Sequence, residues 1–135
     1  MRTFAAALFA LTLATPAVAQ STETLSHDAI AGQIEAFRAE NGELAYSYAA
    51  PRVKRFFPSS SAFMAMVRHG YMPVYAPQSY SFGRHDERNG TLFQEVLITG
   101  PEGKEWAALY TLEEQGDGTV LITSVRLLRS GLKAI

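Results

Sequence analysis

Arg84, Glu95 and Arg126 are the residues of this chain whose types and spacing can do chemistry together. Asn89-Gly90 is a strong two-residue hairpin signal, and it sets Arg88 opposite Thr91 and hence Arg84 opposite Glu95. A four-residue loop at 100–103 sets Thr99 opposite Lys104, and so Glu95 opposite Ala108. A three-residue loop at 116–118 sets Ala108 opposite Arg126. The three charges then form a row across one sheet face. A carboxylate between two guanidiniums is held ionised, so the row can bind an acidic ligand or hold a catalytic carboxylate. Its plainer use is a cross-strand ion pair, worth about 0–1 kcal/mol when exposed, and that use is the expectation.

The same register puts Tyr80, Phe82, Phe93, Trp106 and Tyr110 on the face of that row. They can line a pocket, but aromatic side chains dominate ordinary cores, and core is the expected role. Arg68, His69, Tyr71 and Tyr75 cluster at the end of a helix. A histidine there can do acid–base work. No nucleophile or second acid accompanies it, so Arg68 and His69 are expected to meet the helix dipole and the tyrosines to anchor a loop. The candidate ligand-pocket residues are therefore Arg84, Glu95, Trp106, Tyr110, Arg126, Tyr71 and Tyr75, and no residue is assigned as catalytic. His27, His69 and His85 are scattered and cysteine is absent, so no metal site and no cofactor is expected. Gly100 to Glu105 lacks the spacing and the following helix of a phosphate loop.

The elements that must position these residues follow from the periodicity. Ile30, Ile34 and Phe37 mark one face of a helix from about Asp28 to Asn41, after a polar, frayed start over 20–26. A second helical stretch covers Glu43 to about Ala49 and is interrupted by Pro51. Arg52 to Phe57, with Val53, Phe56 and Phe57 apolar, adds a short turn of helix. A third helix runs from about Ser61 to His69, and 71–77 reads as a loop. Turn signals at 89–90, 100–103 and 116–118 divide the rest into strands at about 78–88, 91–99, 104–115 and 119–129. The fold class is α+β: three N-terminal helices packed on a curved, four-stranded antiparallel meander. A slip of one residue in the last turn would carry Arg126 to the other face.

The N-terminus reads differently from the rest. Arg2, the apolar run Phe4 to Leu13, Pro16 and the small residues Ala17-Val18-Ala19 make up a secretory signal peptide. The expected organisation is residues 1–19 as signal peptide and 20–135 as a single domain, exported to the periplasm or secreted after cleavage near Ala19-Gln20. The run is too short to span a bilayer and no second one follows, so the mature form should be free of membrane spans. The 135 residues are 47% hydrophobic with a net charge of −1, which fits a folded core and argues against a nucleic-acid partner. Without cysteine, stability has to come from packing rather than disulfides.

The block Phe63-Met64-Ala65-Met66-Val67-Arg68-His69-Gly70-Tyr71-Met72-Pro73-Val74-Tyr75 is distinctive. With Ile34-Glu35-Ala36-Phe37-Arg38 before it and Trp106-Ala107-Ala108-Leu109-Tyr110 after it, the chain resembles the bacterial domain-of-unknown-function family numbered 4864 over nearly all of its mature length. That resemblance implies a small exported domain with helix-then-sheet order, as in the cone-shaped nuclear-transport-factor-2-like and cystatin-like folds. It implies no activity, because fold alone does not settle function.

Two readings of function follow. One is a non-catalytic module that binds a small molecule or a protein. The other is a small cofactor-free isomerase or dehydratase, with Glu95 as base and Tyr110 as oxyanion donor in one apolar cavity. The flanking arginines would weaken Glu95 as a base. Because both sheet faces are apolar at their centres in this register, the protein is also expected to self-associate, as a homodimer, or to dock a partner through its sheet.

Overall fold

The structure, a computed structural model, describes residues 10–14 and 20–130. The signal peptide expected over 1–19 and the tail beyond Ser130 therefore lie largely outside the described residues. Five helical segments precede the sheet: α1 (Thr22–Arg38), α2 (Gly42–Ser47), α3 (Pro51–Phe56), α4 (Ser60–Gly70) and α5 (Met72–Tyr75). Four strands follow: β1 (Ser79–Arg88), β2 (Thr91–Thr99), β3 (Glu105–Glu114) and β4 (Val120–Arg129). They form one antiparallel sheet in the order β1-β2-β3-β4. The mixed class, the helix-first order and the meander agree with the sequence. The count of three helices does not.

Each departure has a local cause. α1 begins at Thr22, not Asp28, because the Ser21 hydroxyl accepts the Thr24 N–H at 3.1 Å and caps the helix. It ends at Arg38, three residues before the expected Asn41: Glu40 takes φ 53° and the Asn41 N–H reaches back to the Ala36 carbonyl at 2.9 Å. Asn41 then caps α2 through the Leu44 N–H. Pro51 opens α3 rather than merely interrupting a helix, since a proline at the first position loses no hydrogen bond. Met72–Tyr75, expected as loop, forms one helical turn.

The helices cover one face of the sheet. α1 lies over β2 and β4, α2 packs between α1 and α4, and α3 touches β4. Ile30, Ile34 and Phe37 of α1 meet Leu92, Val96, Ala108, Tyr110, Leu112 and Ile122 of the sheet in one core. The alternation of burial along β2 and β3 defines the faces: Leu92, Gln94, Val96, Ile98, Ala108, Tyr110 and Leu112 point inward, while Phe93, Glu95 and Leu97 point outward.

Registers differ from the expected ones at three places. A bulge between Phe82 and His85 sets two residues, Gly83 and Arg84, against Glu95. The β2–β3 connection holds five residues, not four, because Gly100 and Lys104 pair through Gly100 N–H to Lys104 O at 2.8 Å. Glu95 therefore faces Leu109 instead of Ala108. A second bulge between Thr111 and Leu112 sets Leu109 opposite Arg126.

Candidate functional site

The structure separates the residues that the expected register had gathered. Arg84, Glu95 and Arg126 do share the outer face, in the row Glu95–Leu109–Arg126 with Arg84 beside Glu95. The Arg84 guanidinium lies 3.7 Å from the Glu95 carboxylate and the Arg84 N–H 3.4 Å from it. Arg84 is 92% exposed, so this pair is a weak surface contact. Gly83 lets the Glu95 carboxylate lie close to the β1 backbone: a Cβ there would stand 2.3 Å from Glu95 Oε1 and oblige that side chain to move. Arg126 is exposed and makes no ion pair within 4 Å among the described residues. A shallow groove beside Glu95 runs past Arg84, Asp86, Arg88, Phe93 and Leu109.

Tyr110 and Trp106 belong to the inner face, which corrects the shared face expected for them and Glu95. Tyr110 is 1% exposed and its hydroxyl has no hydrogen-bond partner. Burial pushes its pKa far above the usual tyrosine value, and nearby Tyr80 adds to the rise. Trp106 is half-buried rather than enclosed, with the Arg129 guanidinium 5.1 Å from its ring centre. Tyr75 packs against Phe37 at 5.7 Å and under Arg68 at 5.6 Å. Arg84, Glu95 and Tyr110 border the shallow groove, and Trp106 borders a small cleft beside Met72 and Pro73; of the seven candidates, only Tyr71 lines the apolar cavity between α3, α4 and β4.

That cavity has a volume of about 250 Å³. Phe37 from α1, Val53 and Phe56 from α3, Phe57 just after it, Phe63, Met66 and Val67 from α4, and Val74 from α5 form its apolar walls. Ala49, Ile122 and Val125 complete them on the sheet side. Among the described residues, Gln33, Tyr71, Thr123 and Ser124 are the only polar ones lining it, and none of those lining it is charged. The Gln33 amide is spent on the Ala45 carbonyl at 3.1 Å. At the sheet edge the Thr111 hydroxyl meets those of Thr123, at 2.7 Å, and Ser124.

The cavity has a traceable origin. Ile122 is tied on its free edge to the segment before α3: its N–H bonds to Tyr48 O at 2.9 Å and its carbonyl accepts from Ala50 N–H at 2.8 Å. α3 therefore starts pinned to β4, yet it buries none of its own residues. Phe56 lines the cavity while remaining 81% exposed, which places the mouth at α3. The sequence marked Val53, Phe56 and Phe57 only as apolar residues of a short turn. The signal was three large apolar side chains among Arg52, Lys54 and Arg55 in a segment too short to bury them.

A helix layer over one face of a four-stranded meander, with an apolar cleft between them, defines a small α+β domain. The chain belongs to the family described as a domain of unknown function, DUF4864, which matches residues 10–135. No curated protein and no solved structure matches the chain. Among the described residues no helix is long and apolar enough to cross a membrane, and no group of three His, Asp or Glu side chains is placed to hold a metal.

Proposed function

We propose that this chain is an exported module that binds a small apolar molecule in the cavity between α3, α4 and β4. One observation carries the reading: a cavity of about 250 Å³ walled by apolar side chains, without a charged residue in its lining. Ligand sites are concave, mostly apolar and equipped with a few polar groups. Tyr71, Thr123 and Ser124 supply hydroxyls here. A dry cavity of about 150 Å³ accepts benzene, so this one has room for roughly ten carbon atoms. The export part rests on Arg2, the run Phe4 to Leu13 and Ala17-Val18-Ala19. Mass spectrometry of the chain recovered outside the cytoplasm should find Gln20 at its start, and an intact N-terminus would refute it.

The isomerase-type alternative needs a base and a donor facing one substrate. Glu95 lies on the outer face and the Tyr110 side chain on the inner one, so that pair loses its support. The binding reading is tested with naphthalene, a neutral ten-carbon probe, titrated against the purified chain by fluorescence. Saturable binding at one site, weakened when Met66→Trp fills the cavity, is expected. No saturation would sink the reading.

A second reading concerns the outer face. Phe93, Leu97 and Leu128 are exposed there, with Ala107 and Leu109 half-buried between them. Val96 and Val125, by contrast, face the helices. We infer that the remaining outer patch pairs two copies of the chain, because such patches mark interfaces and an isologous pairing closes on itself. Light scattering at micromolar concentration should report a dimer that Leu97→Lys converts to monomer. A monomeric parent chain would refute the pairing.

A further inference from the structure

We propose that the ligand of the cavity is an amphiphilic anion, a single apolar chain ending in a carboxylate or similar headgroup, whose charge is read by α3. The proposal rests on the binding function given above and adds the chemistry of the ligand's polar end. The described lining carries no countercharge, so an ionised group would remain at the mouth, where burial costs it little. The mouth is formed at α3, where Phe56 is 81% exposed. That helix carries Arg52, Lys54 and Arg55 and no acidic residue.

The three cations are unequally engaged. Lys54 Nζ sits 5.1 Å from the centre of the Tyr46 ring. Arg52 precedes Phe56 by one helical turn and therefore shares its side of α3. Among the described residues, the one carboxylate within 4 Å of it is that of Glu113, at 3.9 Å, and both side chains are well exposed. That separation exceeds hydrogen-bonding distance, so the guanidinium remains able to turn toward a headgroup. Arg55 adjoins Phe56, is exposed, and has no ion-pair partner among the described residues. Ser124, an exposed residue of the lining, adds a hydroxyl that it shares with Thr111. An apolar chamber with a basic, aromatic-tipped lip fits a fatty-acid-like molecule better than a neutral hydrocarbon or a cationic amphiphile.

The test uses three ten-carbon probes, decanoate, decanol and decylammonium, each below its aggregation concentration, titrated into the whole chain by calorimetry. Decanoate should bind about tenfold more tightly than decylammonium, a gap that exposed guanidiniums can supply and that salt should shrink. It should be displaced by naphthalene. The double substitution Arg52→Gln with Arg55→Gln should erase the gap, leave decanol binding unchanged, and leave the circular dichroism spectrum unaltered. Equal binding of anion and cation, or a gap that survives in the double variant, overturns the proposal while the cavity reading stands. Failure of all three probes to bind overturns both.

Discussion

The two ends of the helix–sheet interface are built on different principles. Near the start of α1 the layers are joined by directional bonds. The Nε2–H of His27 and the Nδ1–H of His85 each donate to Gln94 Oε1 at 3.0 Å. The Gln94 amide nitrogen donates in turn to the carbonyls of Gly83, Arg84 and Glu95, the last at 2.8 Å. The His27 ring stacks on Phe82 with 3.9 Å between centroids. One buried glutamine thereby ties α1, the β1 bulge and β2 together. At the α3 end the backbone bonds of Ile122 to Tyr48 and Ala50 pin the layers at one point, and beyond that pin the cavity side chains meet through dispersion contacts around an opening. A densely bonded polar cluster fixes one arrangement, even with the buried His85 Nε2 left without a partner among the described residues, whereas apolar walls tolerate a change of occupant. The molecule is specified at one end and accommodating at the other.

Substitutions at each end test that contrast, and the largest effect should come from a wall that the cavity shares with the core. Phe37 is 1% exposed and sits in the core as well as in the cavity lining. Phe37→Ala should cost about 3–5 kcal/mol, as large aromatic deletions do, and should enlarge the cavity. Denaturant unfolding gives the first quantity. A loss below about 1 kcal/mol would mean that this end of the interface is looser than its packing indicates.

At the specified end, Gln94→Leu keeps the volume and removes every bond of the network. The two imidazole N–H groups and the carbonyls at the bulge lose their buried partner, so a cost of about 2–4 kcal/mol is expected. Amide exchange should quicken at Gly83 to His85 while residues around the cavity stay protected. Uniform quickening through the chain would show that the two ends do not behave separately.

How much of this was legible in the sequence depends on whether one element or several decided the outcome. The strands were read to within about one residue because hairpin signals at Asn89-Gly90 and 116–118 are local. The bulges were not legible, since an extra residue in one strand is fixed by its neighbours: Gly83 yields to the Glu95 carboxylate, and Gln94 grips the carbonyls on both sides of the irregularity. Two one-residue errors, one in the 100–104 loop and one at the β4 bulge, cancelled for Arg126 and left it on the face of Glu95. For Tyr110 and Trp106 only the first applied, which set them against the wrong side of β2. The cavity was hidden for the same reason. Its walls come from four helices and the last strand, so Tyr71 was the single named candidate that reached it. The short basic-aromatic segment 52–57 was visible, but its importance lies in what it fails to cover.

Tyr110 offers a smaller and opposite effect. Its buried hydroxyl lacks a partner, so Tyr110→Phe removes an unsatisfied group and should stabilise the fold by about 1 kcal/mol. The pH dependence has a definite sign. Burial, with Tyr80 adding to it, raises the folded-state pKa above the ordinary value of 10.0. Stability from this group is fully present below pH 10 and falls as pH rises, because the unfolded chain releases the phenolic proton first. The variant should show a shallower alkaline decline. Tyr80, whose pKa burial also raises, keeps part of the slope. A variant less stable than the parent at pH 7 would reveal a hydrogen bond to the Tyr110 hydroxyl.

The smallest effect on stability should fall at the mouth of the cavity, and there function and folding part company. Phe56 is 81% exposed and belongs to a helix that buries none of its residues. Phe56→Ser should therefore change stability by less than about 0.5 kcal/mol, as surface substitutions do. The same ring lines the cavity, so a bound apolar probe loses one wall. Naphthalene affinity should drop by about fivefold to tenfold, the weight of one aromatic contact. Calorimetry of binding and thermal unfolding of the same preparation separate the two quantities. If stability falls and affinity does not, Phe56 is packing for α3 and the opening lies elsewhere. If affinity falls alone, the exposed phenylalanine is retained for what enters the cavity, and the accommodating end of the interface is the working end of the molecule.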